Sequence, residues 1–222
     1  LSTLKDPTLK PIDQNTMIVY TSDNGSYMNL IDSEYCPKSK GDVGHKTDET
    51  IQGYLSTTHR PNGPYRGTKA DIYESGHRVP FFVRWPSAFK AGQKTNELIS
   101  LVDIYATCAD IIGQKTPADA EDSFSFKKLL EGNAASFSRP PVITHAIGGT
   151  FAIHSKNWKL IAGSGSGGRT LPKSKPFDKP YQLFDLSKDI VEENNLIENN
   201  PEKAKEMEKA LQAIIESSKA YQ

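Results

Sequence analysis

The chain has 222 residues, with lysine plus arginine and aspartate plus glutamate at 27 each, so its formal charge is zero. That balance argues against a general polyanion-binding surface, nucleic acid included, while leaving room for a local basic pocket. No apolar stretch reaches membrane-spanning length, no basic-then-apolar leader opens the sequence, and the length suits one large domain or one domain with a small appendage.

Leu1, not a methionine, comes first, which points to a segment upstream of it. Residues 1–15, with Pro7 and Pro11, read as an entry segment. Met17-Ile18-Val19-Tyr20 is too short an apolar run for a typical helix and predicts a strand over 16–22. Its lack of alternation suits burial on both faces, as in a parallel sheet. The run stops at Ser22-Asp23-Asn24-Gly25. A long polar stretch follows to Gly67, holding Asp32, Glu34, Asp42, His45, Asp48, Glu49 and His59. A loop of that length in a compact domain is functional or disordered.

VPFFVRWP, 79–86, reads as a second buried strand ended by Pro86, and ELISLV, 97–102, as a further strand. Asp103 is placed to cap a helix over 104–112 with Ile104, Tyr105, Cys108, Ile111 and Ile112 on its apolar face and Gly113 as its stop. Cys108 is then a buried free thiol, and Cys36 lies in a polar loop, so the two cysteines make no disulfide framework. Beyond about residue 135 the texture changes. VITHAI, TFAIH, WKLIA and YQLFDL are four short strand candidates, with Gly148-Gly149 as a tight turn between the first two. Asn200 and Pro201 suit the start of a last helix lined on one face by Met207, Leu211, Ile214 and Ser218. The expectation is an α/β portion over 1–135 and, over 136–222, a small antiparallel sheet covered by a C-terminal helix.

Two patterns count for little. GSGSGG, 163–168, formally satisfies G-x-G-x-x-G, but Pro172, Pro176 and Pro180 preclude the helix a nucleotide site needs, so it reads as a flexible hairpin loop. Asn24-Gly25-Ser26 matches a glycosylation sequon at a strand end that has no room for a glycan. Asp23 and Asn24 carry more. Ligands gather at the carboxyl ends of strands in open α/β sheets, and a carboxylate beside a carboxamide offers hard oxygens for calcium or magnesium. The plain alternative is a capped turn, for which Asp-Asn-Gly is common. Further on, Arg66, Lys69, His77 and Arg78 cluster just ahead of the second strand. A lysine there is a compact cation suited to an anionic group, while each such residue alone is ordinary surface charge.

Taken together, TSDNG and RGTKADIYESGHRVPFFVRWP resemble the sulfatase family of the alkaline phosphatase superfamily. The first is similar to the family's second calcium-ligand motif. The second is similar to its lysine-bearing segment, R-G-x-K-x-x-x-x-E-G-G-x-R-V-P, with Ser75 in place of one glycine. SLVDIYATCADIIG resembles the family's strand-to-helix segment, and FAIHSKNWKLI with YQLFDLSKDIVEENNL its C-terminal subdomain, so nearly the whole chain is covered in the family's order. The resemblance implies the C-terminal part of an alkaline phosphatase-like sandwich, with Asp23 and Asn24 as calcium ligands (magnesium second) and Lys69 as a contact to the sulfate group. His77, with His45 and His59, is a candidate for shaping a substrate subsite. The substrate implied is a sulfated small molecule or glycan, and the polar loop at 31–63 favours a sugar. Family members are mostly exported or lysosomal, which implies the same location here.

One part of the family's equipment is missing. The family uses a formylglycine made from the first residue of C/S-x-P/A-x-R; CPKSK at Cys36 and CADII at Cys108 both fail the pattern, and no serine meets it. Calcium takes six to eight oxygens, and Asp23 with Asn24 gives about three. The expectation is therefore the C-terminal half of a sulfatase, inactive alone, whose nucleophile and remaining calcium ligands belong to an N-terminal half. A phosphodiesterase or phosphonate hydrolase of the same superfamily, and a non-catalytic anion-binding module, are the alternatives.

Overall fold

The structure, a computed structural model, describes residues 12–32, 34 and 53–219. Cys36, Asp42, His45, Asp48 and Glu49 lie outside the described residues, as does the side chain of Ser218. The fold is mixed α/β with small antiparallel sheets, and no closed barrel forms among the described residues. It comprises two compact units, one of residues up to Asp23 with Pro80–Pro140, the other of Asn24–Val79 with Pro141 onward.

In the first unit, β1 (Ile18–Thr21) pairs antiparallel with β4 (Phe81–Arg84), Ile18 opposite Arg84 and Thr21 opposite Phe81. Between them in sequence come β2 (Asn29–Leu30), β3 (Gly53–Tyr54) and the single helical turn α1 (Glu74–His77), all in the second unit. The expectation of a strand buried on both faces fails: Tyr20 and Phe82 are 66% and 65% exposed, their rings 6.1 Å apart. Four residues without alternation specify neither the direction of a partner strand nor what covers it.

The run 97–102 forms no strand. Its end is spent on Asp103, whose Oδ2 accepts the Ser100 N–H at 2.7 Å and ties the segment to the entrance of α2 (Asp103–Ile111). Asp103 is thus the first helical residue, with Val102 in the cap position. The buried face of α2 carries Asp103, Ala106 and Thr107, whereas Tyr105 and Ile112 are 56% and 70% exposed and the free thiol of Cys108 is only half-buried. Side-chain hydrogen bonds to residues 123–126 turned the helix away from its apolar stripe: the Thr107 hydroxyl accepts from the Phe126 N–H and the Asp103 Oδ1 from the Phe124 N–H. The short α3 (Lys127–Leu130) completes this unit.

The second unit holds the four expected strands, β5 (Val142–His145), β6 (Phe151–Ser155), β7 (Trp158–Ile161) and β8 (Gln182–Asp185), in one antiparallel sheet of order β5-β6-β7-β8. The last helix, α4 (Pro201–Lys219), covers one face. Alternation sorts the side chains. Ile153, Leu160 and Leu183 pack with Met207 and Leu211 of α4. Ala152, Ile161 and Phe184 pack with Ile72 and Tyr73 on the opposite face. His154, Lys159 and Gln182 share that second face by register, so the sheet turns three polar side chains toward the segment carrying α1. Among the described residues no helix is long and apolar enough to cross a membrane.

Candidate functional site

Two stretches that sequence alone kept apart, 24–26 and 62–76, lie against each other in the second unit. Just past Asn24, the Gly25 N–H donates to the Gly76 carbonyl at 3.1 Å. A Cβ on Gly25 would sit 1.5 Å from the Ser75 carbonyl oxygen, so the close approach admits only glycine there. The Ser26 carbonyl accepts from the Lys69 N–H at 2.9 Å, the Thr68 hydroxyl at 2.5 Å and the Asn62 amide at 3.2 Å, and Asn62 returns its oxygen to the Ser26 N–H at 2.7 Å. The Asn24 segment is thereby laced to the stretch bearing Lys69.

Lys69 itself has a pinned backbone and an exposed side chain that pairs with no carboxylate among the described residues. Asp23 ends the first unit, exposed, its carboxylate taking a 3.4 Å hydrogen bond from the Ser22 hydroxyl. His59 is exposed. His77 is half-buried, and its Nε2 is shut off from water with no hydrogen-bond partner among the described residues. Burial, then the nearby Lys159 charge, pushes its imidazole down to about 4, so it is neutral at physiological pH.

Behind this surface lies a charge cluster that sequence reading missed. Lys159, fully buried, stands 3.1 Å from Glu74 Oε1 and 2.7 Å from Glu192 Oε1. Glu192 Oε2 accepts the Glu74 N–H at 2.6 Å, and Arg66 donates to the Glu192 carbonyl at 2.9 Å while stacking 4.0 Å from the centre of the Tyr73 ring. Burial alone would raise Glu74, but Lys159, with His154 and Arg78 behind it, holds that carboxyl well below the usual range. Burial wins at Glu192, whose carboxyl is raised despite Lys159. His154, buried on the sheet face, is pushed down to about 3 by desolvation and then by Lys159. The cluster fastens the α1 segment to β7 and to the stretch after β8. One signal pointed to it: a lysine at an inward position between Trp158 and Leu160.

The GSGSGG stretch is not the flexible loop its composition implied. Most of it is buried between β7 and β8, and it closes on Asp71. The Arg169 and Thr170 N–H groups and the Thr170 hydroxyl all donate to that carboxylate. The glycines serve close approach: a Cβ on Gly168 would meet the Ala70 carbonyl oxygen at 2.3 Å.

For a hard cation, Asp23 and Asn24 are right in kind and too few in number. Among the described residues no group of three or more His, Cys, Asp or Glu is arranged to hold a metal, whereas calcium takes six to eight oxygens. The pair fits as part of a donor set.

Two family models match the sequence: Sulfatase over residues 8–114, and N-sulphoglucosamine sulphohydrolase, C-terminal, over residues 68–220. An N-acetylgalactosamine-6-O-sulfatase of Bacteroides thetaiotaomicron is 33% identical over 206 residues, covering 91% of this chain and 37% of the relative. Human steryl-sulfatase is 34% identical over 121 residues, 54% of this chain and 17% of that protein. The chain therefore spans well under half the length of these relatives. A solved structure described under glycosaminoglycan metabolism by Bacteroides thetaiotaomicron superimposes with a TM-score of 0.69 at 31% identity, over 91% of this chain and 39% of its own. A structure of a Pseudoalteromonas sulfatase, at 23% identity, shares the fold with a TM-score of 0.65 over 94% of this chain and 38% of its own.

Proposed function

We propose that this chain, which belongs to the sulfatase family, is part of a sulfuric ester hydrolase that removes sulfate from a sulfated carbohydrate. The observation that carries the reading is the hydrogen bond from the Lys69 N–H to the Ser26 carbonyl. It fixes the backbone of Lys69, whose side chain is exposed, beside the segment that begins with Asn24. In this reading Lys69 binds a sulfate oxygen and stabilises the charge that builds there as the ester bond breaks. A fixed cation in a closed site replaces solvation that water would otherwise give.

Asp23 and Asn24 would hold a divalent cation, calcium before magnesium, together with oxygens from outside these residues. When bound, that ion supplies positive charge to the same sulfate oxygens. No residue here meets the formylglycine pattern, so a hydrated aldehyde, which would supply the attacking oxygen, belongs to the N-terminal part of the protein. His77, neutral and half-buried, is assigned to the wall of the site. The sugar substrate is favoured by the 33% identity to an N-acetylgalactosamine-6-O-sulfatase, and an exported location is read from the sulfatase family alone, whose members are mostly exported or lysosomal.

The test uses the full-length protein with N-acetylgalactosamine 6-sulfate, following released sulfate with and without a chelator. Lys69→Ala should lower turnover about 10²–10³-fold, the usual cost of removing one such contact, while calorimetry still detects calcium. Asp23→Ala should abolish that calcium signal. Unchanged turnover in Lys69→Ala, or no sulfate released from any sulfated sugar by the wild type, would overturn the reading.

A further inference from the structure

We propose that the glycine-rich loop between β7 and β8 is a positioning device for Lys69, acting through Gly168 and the buried carboxylate of Asp71. This rests on the reading of Lys69 as the sulfate contact.

The turn that presents Lys69 is unusual in two ways. Ala70 has φ +80°, a conformation that residues bearing a Cβ rarely adopt and that persists only where the surroundings impose it. Asp71, next to it, is fully buried, and the donors to its carboxylate are all neutral. Thr68 N–H donates to Oδ2 at 2.9 Å, the Thr170 hydroxyl to Oδ2 at 2.8 Å, the Thr170 N–H to Oδ1 at 3.1 Å and the Arg169 N–H to Oδ1 at 2.5 Å.

The grip extends along the backbone on both sides. The Lys69 N–H donates to Ser26 at 2.9 Å, the Ala70 carbonyl accepts from Ile147 at the β5–β6 hairpin at 3.0 Å, and the Ile72 N–H donates to Ser166 at 2.9 Å. Gly168 lies against the turn so closely that a Cβ would stand 2.3 Å from the Ala70 carbonyl oxygen and 2.6 Å from Asp71 Oδ1. The loop is itself braced, since the Ser166 hydroxyl donates to the Thr170 carbonyl at 2.6 Å and accepts from the Gly168 N–H at 3.1 Å. A rigid base with an exposed tip is how a charge is held ready for a ligand. Preorganisation of this kind is what makes a fixed charge effective in a transition state.

A clamp that acts through Lys69 differs measurably from one that only holds the fold together. In the full-length protein, Gly168→Ala should lower kcat/KM for the sulfated sugar at least about tenfold. In a Lys69→Ala background the same change should matter less than about threefold, because the group being positioned is gone. Asp71→Asn, which keeps the side chain's shape, repeats the cycle should Gly168→Ala fail to fold. Effects that multiply unchanged in the Lys69→Ala background would overturn the proposal. Hydrogen exchange gives a readout free of activity. The Lys69, Asp71 and Ile72 amides should exchange slowly in the wild type and at least about tenfold faster in Gly168→Ala. If the wild type hydrolyses no sulfate ester, the functional reading fails, and unaltered exchange in the variant would separately overturn the clamp.

Discussion

Asp103 in the first unit and Asp71 in the second are both fully buried, and each ties loops together, but by opposite means. Asp103 accepts the Ser100 and Phe124 N–H groups and pairs with the buried guanidinium of Arg139. Asp71 accepts three N–H groups and a hydroxyl, none of them from a cation. Burial raises both carboxyls, and hydrogen bonds oppose it in each case, with the Arg139 charge adding to that opposition at Asp103. An arginine neutralises its partner from one direction and leaves the neighbouring backbone some latitude. A carboxylate held by neutral dipoles needs every donor in place, so the chain around Asp71 is tightly determined. That is the stretch where Lys69 is displayed.

Matched substitutions sharpen the contrast. Asp103→Asn takes from Arg139 its buried ion-pair partner, leaving only the weaker pull of Asp122, and should cost about 3–5 kcal/mol in urea unfolding, the usual penalty for breaking a buried ion pair. Asp71→Asn strands no opposite charge. It replaces one acceptor oxygen with a donor facing donors, and should cost about 2–3 kcal/mol. Equal costs, or a larger one at Asp71, would break the comparison.

Acid gives the next test. His154 is held near 3 in the folded protein against an ordinary 6.5. Between those values the unfolded chain takes a proton that the folded one refuses, so stability is full above about pH 6.5 and falls as the pH drops toward 3. The buried carboxyls of Asp71 and Glu192 are raised and act in the opposite sense. Comparing wild type with His154→Gln cancels their contribution. The stability difference between the two should narrow by about 1.4 kcal/mol for each pH unit between 6.5 and 4. A constant difference would mean that His154 is solvated.

Much of the second unit was legible in the sequence. Four short apolar runs, Gly148-Gly149 and Asn200-Pro201 mark the sheet and the start of α4, because alternation and turn chemistry are local signals. Partners are not local. The run at 18–21 does not say that it pairs antiparallel with 81–84, and 97–102 is apolar without being a strand because its end serves Asp103. The site divides in the same way. The Asn24 and Lys69 segments stood out as motifs, but their contact joins residues far apart in sequence. The GSGSGG loop was misread because its composition reports freedom of conformation, whereas its glycines serve close approach to Ala70 and Asp71.

The smallest effect is expected at His145, and it bounds how much chemistry the second unit holds. His145 ends β5 at an exposed position, and the hairpin beyond it donates from Ile147 to the Ala70 carbonyl. An imidazole so near the Lys69 turn is an obvious candidate for a general acid. Its contacts are local: Nδ1 lies 3.0 Å from the Ala146 carbonyl oxygen, and the ring meets Phe151 edge-on at 6.2 Å. A glutamine amide can donate to that carbonyl, and an exposed ring contact contributes about 0.5–1.5 kcal/mol. His145→Gln in the full-length protein should therefore keep turnover within about tenfold of wild type, or about 1.4 kcal/mol in barrier, and the same bound applies to the buried His154→Gln. A loss of several orders of magnitude at His145, with melting temperature unchanged, would give the second unit a proton-transfer group beside its lysine. The rigidity around Asp71 would then serve to align two reacting side chains, where a single presented charge needs only one.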